Sequence, residues 1–142
     1  NKVRFNSFYS NTFLGIDLGN DGATANDLND VDTGANRFQN HPTLATATLA
    51  GSDLAIGYFV DSSPTNSDYP LMVDFYLADG SGREGQTYLF SDEFTALDFA
   101  AGTKLFTALD VDLDVGTEIV ATATDGGGFL STSEFSFSVT VG

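Results

Sequence analysis

"PLMVDFYLADG", Pro70 to Gly80, alternates its side chains with period two and closes on a turn pair. Val73, Phe75 and Leu77 fall on one face and Asp74 and Tyr76 on the other, as in a β-strand with two different surroundings. The next segment, "GQTYLFSDE", reads as a further strand. Between them "GSGREG", Gly80 to Gly85, spells G-x-G-x-x-G. A dinucleotide site would need a helix after those glycines to hold the pyrophosphate. A strand follows instead, so a glycine-rich hairpin is expected and a nucleotide is not.

The same texture runs outward in both directions. "PTLATATLAGSDLAIGYFVDSSP" predicts two strands around Gly51-Ser52, with Leu54, Ile56, Tyr58 and Val60 at period two. Lys104 to Leu109 predicts another strand. In "GTEIVATATD", Ile119, Ala121 and Ala123 oppose Val120, Thr122 and Thr124. "SEFSFSVTVG" predicts Phe135, Phe137, Val139 and Val141 inward and Ser136, Ser138 and Thr140 outward. No window shows a helical period. About seven short strands after residue 42, separated by Gly, Asp, Ser and Pro turns, predict an all-β fold: an antiparallel, immunoglobulin-like β-sandwich. Residues 1–42 form a second region, an extended N-terminal segment with strand-like alternation followed by a long acidic loop; 43–142 is the sandwich.

Composition narrows the function. The 142 residues hold 20 Asp+Glu against 5 Lys+Arg, a net charge of −15. Nucleic acid and anionic membrane surfaces require a basic patch, so neither is an expected partner. No apolar run is long enough to span a bilayer. Cysteine is absent, which excludes disulfides, thiolate zinc sites and a thiol nucleophile. The chain opens at Asn1 without Met and reads as a mature or excised piece of a larger secreted protein. His41 is the lone histidine, and no H-E-x-x-H, G-x-S-x-G or triad spacing occurs. No enzyme is expected.

The acid is concentrated. "GIDLGNDGATANDLNDVDTGANRFQ", Gly15 to Gln39, holds Asp17, Asp21, Asp27, Asp30 and Asp32, with one cation, Arg37, nearby. Calcium takes six to eight oxygens from carboxylates, amides and backbone carbonyls. Asp, Asn and Gly at short spacing supply them from one flexible segment. The candidate ligands are Asp17, Asn20 and Asp21 in one cluster and Asp27, Asn29, Asp30 and Asp32 in a second. Neither matches the EF-hand string. Asp110, Asp112 and Asp114, on one face of "DVDLDVG", form a third candidate. The competing readings are a solvated loop of Asx-turns and, for 110–114, a charged edge that deters aggregation. A glycan is the alternative ligand, with Tyr58, Tyr69, Tyr76 and Tyr88 as candidate platforms on a carbohydrate-binding module of a polysaccharide-degrading enzyme.

The stretch "NSFYSNTFLGIDLGNDGATANDLNDVDTGANRFQNHPTL", with "EGQT" at Glu84 to Thr87, "ATATD" at Ala121 to Asp125 and "TSEFS" at Thr132 to Ser136, resembles the junction that closes right-handed parallel β-helix regions of large bacterial surface proteins and the β-sandwich that follows it. Arg83 stands where that pattern has Gly, and "DGGGFLS" replaces its Pro/Asn-containing turn. The resemblance implies a secreted or surface-anchored bacterial protein in which residues 1–14 are the end of a last rung. It implies no defined activity. The resulting expectation is a non-catalytic, calcium-stabilised adhesion or assembly module. It would associate with itself, or with a neighbouring domain, by strand addition through residues 1–14 and 135–141.

Overall fold

The computed structural model describes all residues, Asn1–Gly142. Seven strands all follow residue 42: β1 (Thr43–Ala50), β2 (Asp53–Phe59), β3 (Leu71–Ala78), β4 (Gly85–Phe94), β5 (Lys104–Ala108), β6 (Glu118–Thr124) and β7 (Val139–Thr140). They form two antiparallel sheets, ordered β1-β2-β5 and β4-β3-β6-β7. The β-sandwich read from the strand pattern is the fold. Gly51, at φ +68°, turns β1 into β2, a conformation open to glycine because it lacks Cβ. The segment Gly80 to Gly85 is the β3–β4 hairpin, with a strand and not a helix after it. Gly142 exchanges backbone bonds with Ala47 and Leu49, both 2.9 Å, and so ties the chain's last residue to β1.

The space between the sheets is filled as the alternation requires. Leu54, Ile56, Tyr58 and Val60 from β2 and its extension meet Leu71, Val73 and Phe75 from β3 and Ile119, Ala121 and Ala123 from β6. Each large apolar side chain removed from water contributes about 1.5–3 kcal/mol. Phe75 and Phe94 are the phenylalanines of this buried core, with Tyr58 edge-on to Phe75 at 5.4 Å.

The second sheet is covered on its other face as well. Tyr76, Val120 and Phe135 form a smaller cluster there with Phe8 and Ile16 from the N-terminal segment. This cover explains why Thr122, Thr124, Ser133 and Ser136 are buried on what would otherwise be a wet face.

Three expectations are corrected. Residues 1–14 form no ladder strand; they run as irregular backbone, with Phe5 and Ser10 at positive φ, because most of their bonds go to side chains rather than to a sheet edge. The alternation through 133–141 breaks. Phe135 enters the outer cluster and Val141 the inner core, while Phe137 is 66% exposed and Ser136 is buried. The cause is local: Ser136 Oγ and Ser133 Oγ accept from the backbone N–H groups of Ala121 and Ala123, both at 2.9 Å. Hydroxyls replace carbonyls in the ladder, and the chain slips by one face before β7. Third, a short helix, α1 (Ala96–Ala101), follows β4. Its Thr95 N-cap and Asp98 form a reciprocal capping box.

Candidate metal centre

The loop between residues 26 and 41 doubles back on itself through two asparagine clips. Asn26 Oδ1 accepts from His41 N and its Nδ2 donates to His41 O, at 2.9 and 2.8 Å. Asn40 Oδ1 accepts from Asp27 N at 3.1 Å, and Nδ2 donates to Asp27 O at 2.8 Å. Each side-chain amide thus does the work of a β-ladder residue. Asn29 and Asp30 follow, both in the left-handed region at φ +63° and +62°, and reverse the chain. The reversal turns the Asp30 carboxylate inward while Asp27 and Asp32 stay on its outer side.

Asp27, Asp30 and Asp32 each offer a carboxylate oxygen, and these atoms lie within 4.8 Å of one another. No other group of three acids converges in this way. None of the three has a salt bridge. Arg37, the nearby cation, turns instead toward Asp68 and Asp125, at 3.9 and 3.8 Å.

The three carboxylates are committed to different degrees. Asp30 is buried, and its Oδ2 accepts from Gln39 Nε2 at 2.9 Å and from the Ser62 and Ser67 hydroxyls. Its Oδ1 accepts only from Asn40 N, at 3.0 Å. Asp27 Oδ2 accepts from Val31 N and Asp32 N, at 3.0 and 3.2 Å, whereas Asp27 Oδ1 is buried without any hydrogen-bond partner. A buried carboxylate oxygen without a donor is costly. Burial raises the Asp30 carboxyl above the usual carboxylate range against the pull of Ser62 and Ser67. Asp32, though exposed, is raised as well, by partial desolvation of its carboxyl and by the charges of Asp27 and Asp30. The donor set therefore fits a hard, oxygen-preferring divalent cation: one orphaned oxygen, two further carboxylates with free lone pairs and excess negative charge.

The other sequence candidates do not join this centre. Asp17 caps its own loop, Oδ1 and Oδ2 accepting from Asp21 N and Gly22 N at 3.2 Å each. Asn20 and Asp21 lie in that same exposed turn. Asn29 contributes backbone, its N donating to Asp61 Oδ1 at 3.2 Å. Asp110, Asp112 and Asp114 are exposed and spread along one strand-like edge, while Val111 and Leu113 between them pack on the core. Of the tyrosine platforms, Tyr58 and Tyr76 are buried and Tyr69 is half-buried, while Tyr88 is exposed, edge-on to Phe5.

The strand reading missed a row of carboxylates that fasten the N-terminal segment. Arg4 Nε and Nη2 meet Asp74 Oδ2 and Oδ1, both at 2.6 Å, with Asp74 fully buried. Glu84 accepts from Asn11 N and Nδ2, at 3.2 and 2.7 Å. Glu134 accepts from Leu18 N and Thr24 N, both 2.9 Å, and from Thr24 Oγ1. Glu84 and Glu134 both sit inside the short pieces "EGQT" and "TSEFS" that carry the resemblance. An acid inside an otherwise strand-like, half-apolar stretch was the available signal. Burial also holds the His41 imidazole below its ordinary value, so it serves as a neutral wall edge-on to Phe137.

No protein-family profile matches the chain, and no curated protein does.

Proposed function

We propose that this chain is a non-catalytic, calcium-stabilised structural module of a secreted or cell-surface protein, used in adhesion or assembly. The observation that carries the reading is the Asp27 carboxylate, which converges with Asp30 and Asp32 without a counter-cation and keeps one oxygen, Oδ1, buried and unpartnered. Asp27, Asp30 and Asp32 would hold the ion. When bound, it neutralises their mutual repulsion and supplies the missing partner of Asp27 Oδ1. The protein's own share is positional. The clips of Asn26 and Asn40 fix the loop, and the Gln39–Ser62–Ser67 group holds Asp30 in place.

Much of the centre's lone-pair capacity is already used by protein donors. That places its affinity at the weak end of oxygen-rich sites, where dissociation constants of about 10⁻⁴–10⁻³ M suit extracellular modules. The acidic composition, with a net charge of −15, supports a setting outside the cell, where it keeps the module soluble. No helix is long and apolar enough to cross a membrane.

Assembly by strand addition would use β4 and β5, the outermost strands of the two sheets at one side of the sandwich, rather than residues 1–14 or 135–141. Calorimetric titration with calcium tests the reading. One saturable site, lost in Asp27→Asn, is expected; heat unchanged between the two proteins overturns it.

A further inference from the structure

Away from the three-aspartate centre, the N-terminal loop and the β3–β4 hairpin border a half-open pocket of about 780 Å³. That size suits a small molecule or a short oligomer. Its lining mixes Phe13, Thr12, Asn20, Asp21, Asp17 and Arg83. Phe13 is 81% exposed: a large apolar ring displayed beside polar groups with no protein partner of its own.

Arg83 is the second unusual member. In a chain with so many acids, it makes no salt bridge. Its guanidinium lies over the Phe137 ring at 4.1 Å. Its Nη2 reaches Phe135 O only at 3.4 Å, and its Nε is buried without a partner. The stacking fixes the plane of the fork and, with Nε buried, leaves Nη1 as the donor without a protein acceptor. Asp17 is used up by Asp21 N and Gly22 N, but no protein donor engages the Asp21 carboxylate, and the Asn20 amide and Thr12 hydroxyl are likewise free.

The free groups are therefore acceptors (Asp21), donors (Arg83) and both at once (Asn20, Thr12), beside an aromatic face. A ligand complementary to all of them carries several hydroxyls, each donor and acceptor, and one apolar C–H face. We propose that this pocket binds a neutral saccharide of one to a few residues, its ring on Phe13 and its hydroxyls on Asn20, Asp21 and Arg83. The lining's charge argues against an anionic sugar, since Asp17, Asp21 and Glu84 outnumber Arg83. The unpaired guanidinium argues against a cation. The site shares no residue with the metal centre and does not depend on it.

The test is heteronuclear NMR titration of the full chain, with calcium in excess throughout. The probes are neutral gluco-, galacto- and manno-oligosaccharides, galacturonate oligomers and spermidine. A neutral saccharide should shift the amides of residues 11–23 and 81–84. Phe13→Ala and Arg83→Met should each weaken that binding by about tenfold, as for a central contact. Phe13→Tyr should retain it, and Leu105→Ala, on the first sheet, should leave it unchanged. If Phe13→Ala does not fold, Asn20→Ala at an exposed turn carries the same comparison. Binding of no saccharide, preference for galacturonate or spermidine, or binding indifferent to Phe13 and Arg83 would each overturn the proposal.

Discussion

Asn40 grips the backbone of Asp27 from both sides, its Oδ1 accepting from Asp27 N and its Nδ2 donating to Asp27 O. The same Nδ2 also donates to Asp61 O. One buried amide thus joins the start of the acidic turn to the end of β2. Asn40→Ala would strand three backbone groups, and Asn40→Asp would set a carboxylate against two carbonyls. Each unsatisfied buried group costs about 1–3 kcal/mol. Asn40→Ala should lower the melting temperature by about 10 °C or more for a chain of this size, and calcium affinity should fall with it. A melt within about 2 °C of the parent would show that the clip is incidental.

Calcium itself should stabilise the fold by mass action. At a hundredfold excess over its dissociation constant it adds about 3 kcal/mol, or about 5–10 °C in the melt. EDTA should remove that gain. Asp27→Asn gives the orphaned oxygen's side chain an uncharged amide and relieves repulsion, so in EDTA it should melt at or above the parent. In calcium it should show no rise. Equal melts of the parent protein in calcium and EDTA would remove the cation from the account.

The pH dependence follows from the raised carboxyls of Asp30 and Asp32. A carboxyl raised on folding takes up its proton more readily in the native state. Relative to the ionised form, its contribution to stability is complete below the unfolded value near 3.9 and is lost as pH rises through the raised folded value. Metal binding requires the ionised forms, so it acts in the opposite direction. The calcium-induced rise in melting temperature should shrink steadily as pH falls from neutral through the midpoints of these two groups. In EDTA, carbon-detected NMR should find both midpoints above 3.9, and calcium should move both downward. Midpoints at or below that value without metal would contradict the burial of Asp30 and the crowding of charge at Asp32.

The sandwich was legible in the sequence because one face of each strand meets only the apolar core. Leu54, Ile56 and Tyr58 alternate cleanly for that reason. Legibility failed where a strand has two buried faces. Tyr76 and Thr122 look like solvent-side residues, yet the N-terminal segment covers them. It failed again at Ser133 and Ser136, whose hydroxyls take the place of backbone acceptors. Periodicity cannot register such a substitution. In the acidic loop, composition pointed to a cation but could not separate Asp27, Asp30 and Asp32 from Asp17 and Asp21. The difference lies in which oxygens the loop's own N–H groups consume. The asparagines that shape the turn, Asn26 and Asn40, act through backbone across a separation of about a dozen residues, and no spacing rule marks them.

Arg4 and Asp74 make the strongest single attachment of the N-terminal segment, a two-pronged pair with Asp74 fully buried. Arg4→Ala leaves that carboxylate with Ser91 alone. Breaking one side of a buried pair costs about 3–5 kcal/mol, so Arg4→Ala should melt about 10 °C or more below the parent. Replacing both partners, as Arg4→Met with Asp74→Leu, should recover much of the loss, because no buried charge is then stranded. A double variant as unstable as Arg4→Ala would show that the stranded charge is not what the single variant costs.

Glu134 fastens the segment at its far end, through Leu18 N and Thr24 N. Its removal should act locally rather than globally, because the core between the sheets does not include residues 18–24. Glu134→Gln keeps the shape but replaces one acceptor oxygen with an NH₂ group facing N–H donors. Amide hydrogen exchange at Leu18 and Thr24 should then speed up by about tenfold to a hundredfold, the loss of one or two charge-assisted bonds. Exchange at Ile56, Val73 and Ala121 should hold as in the parent. Acceleration spread equally over both sets of amides would mean that segment and sandwich open as one cooperative unit. In that case Glu134 supports the whole fold rather than the seat of the N-terminal segment alone.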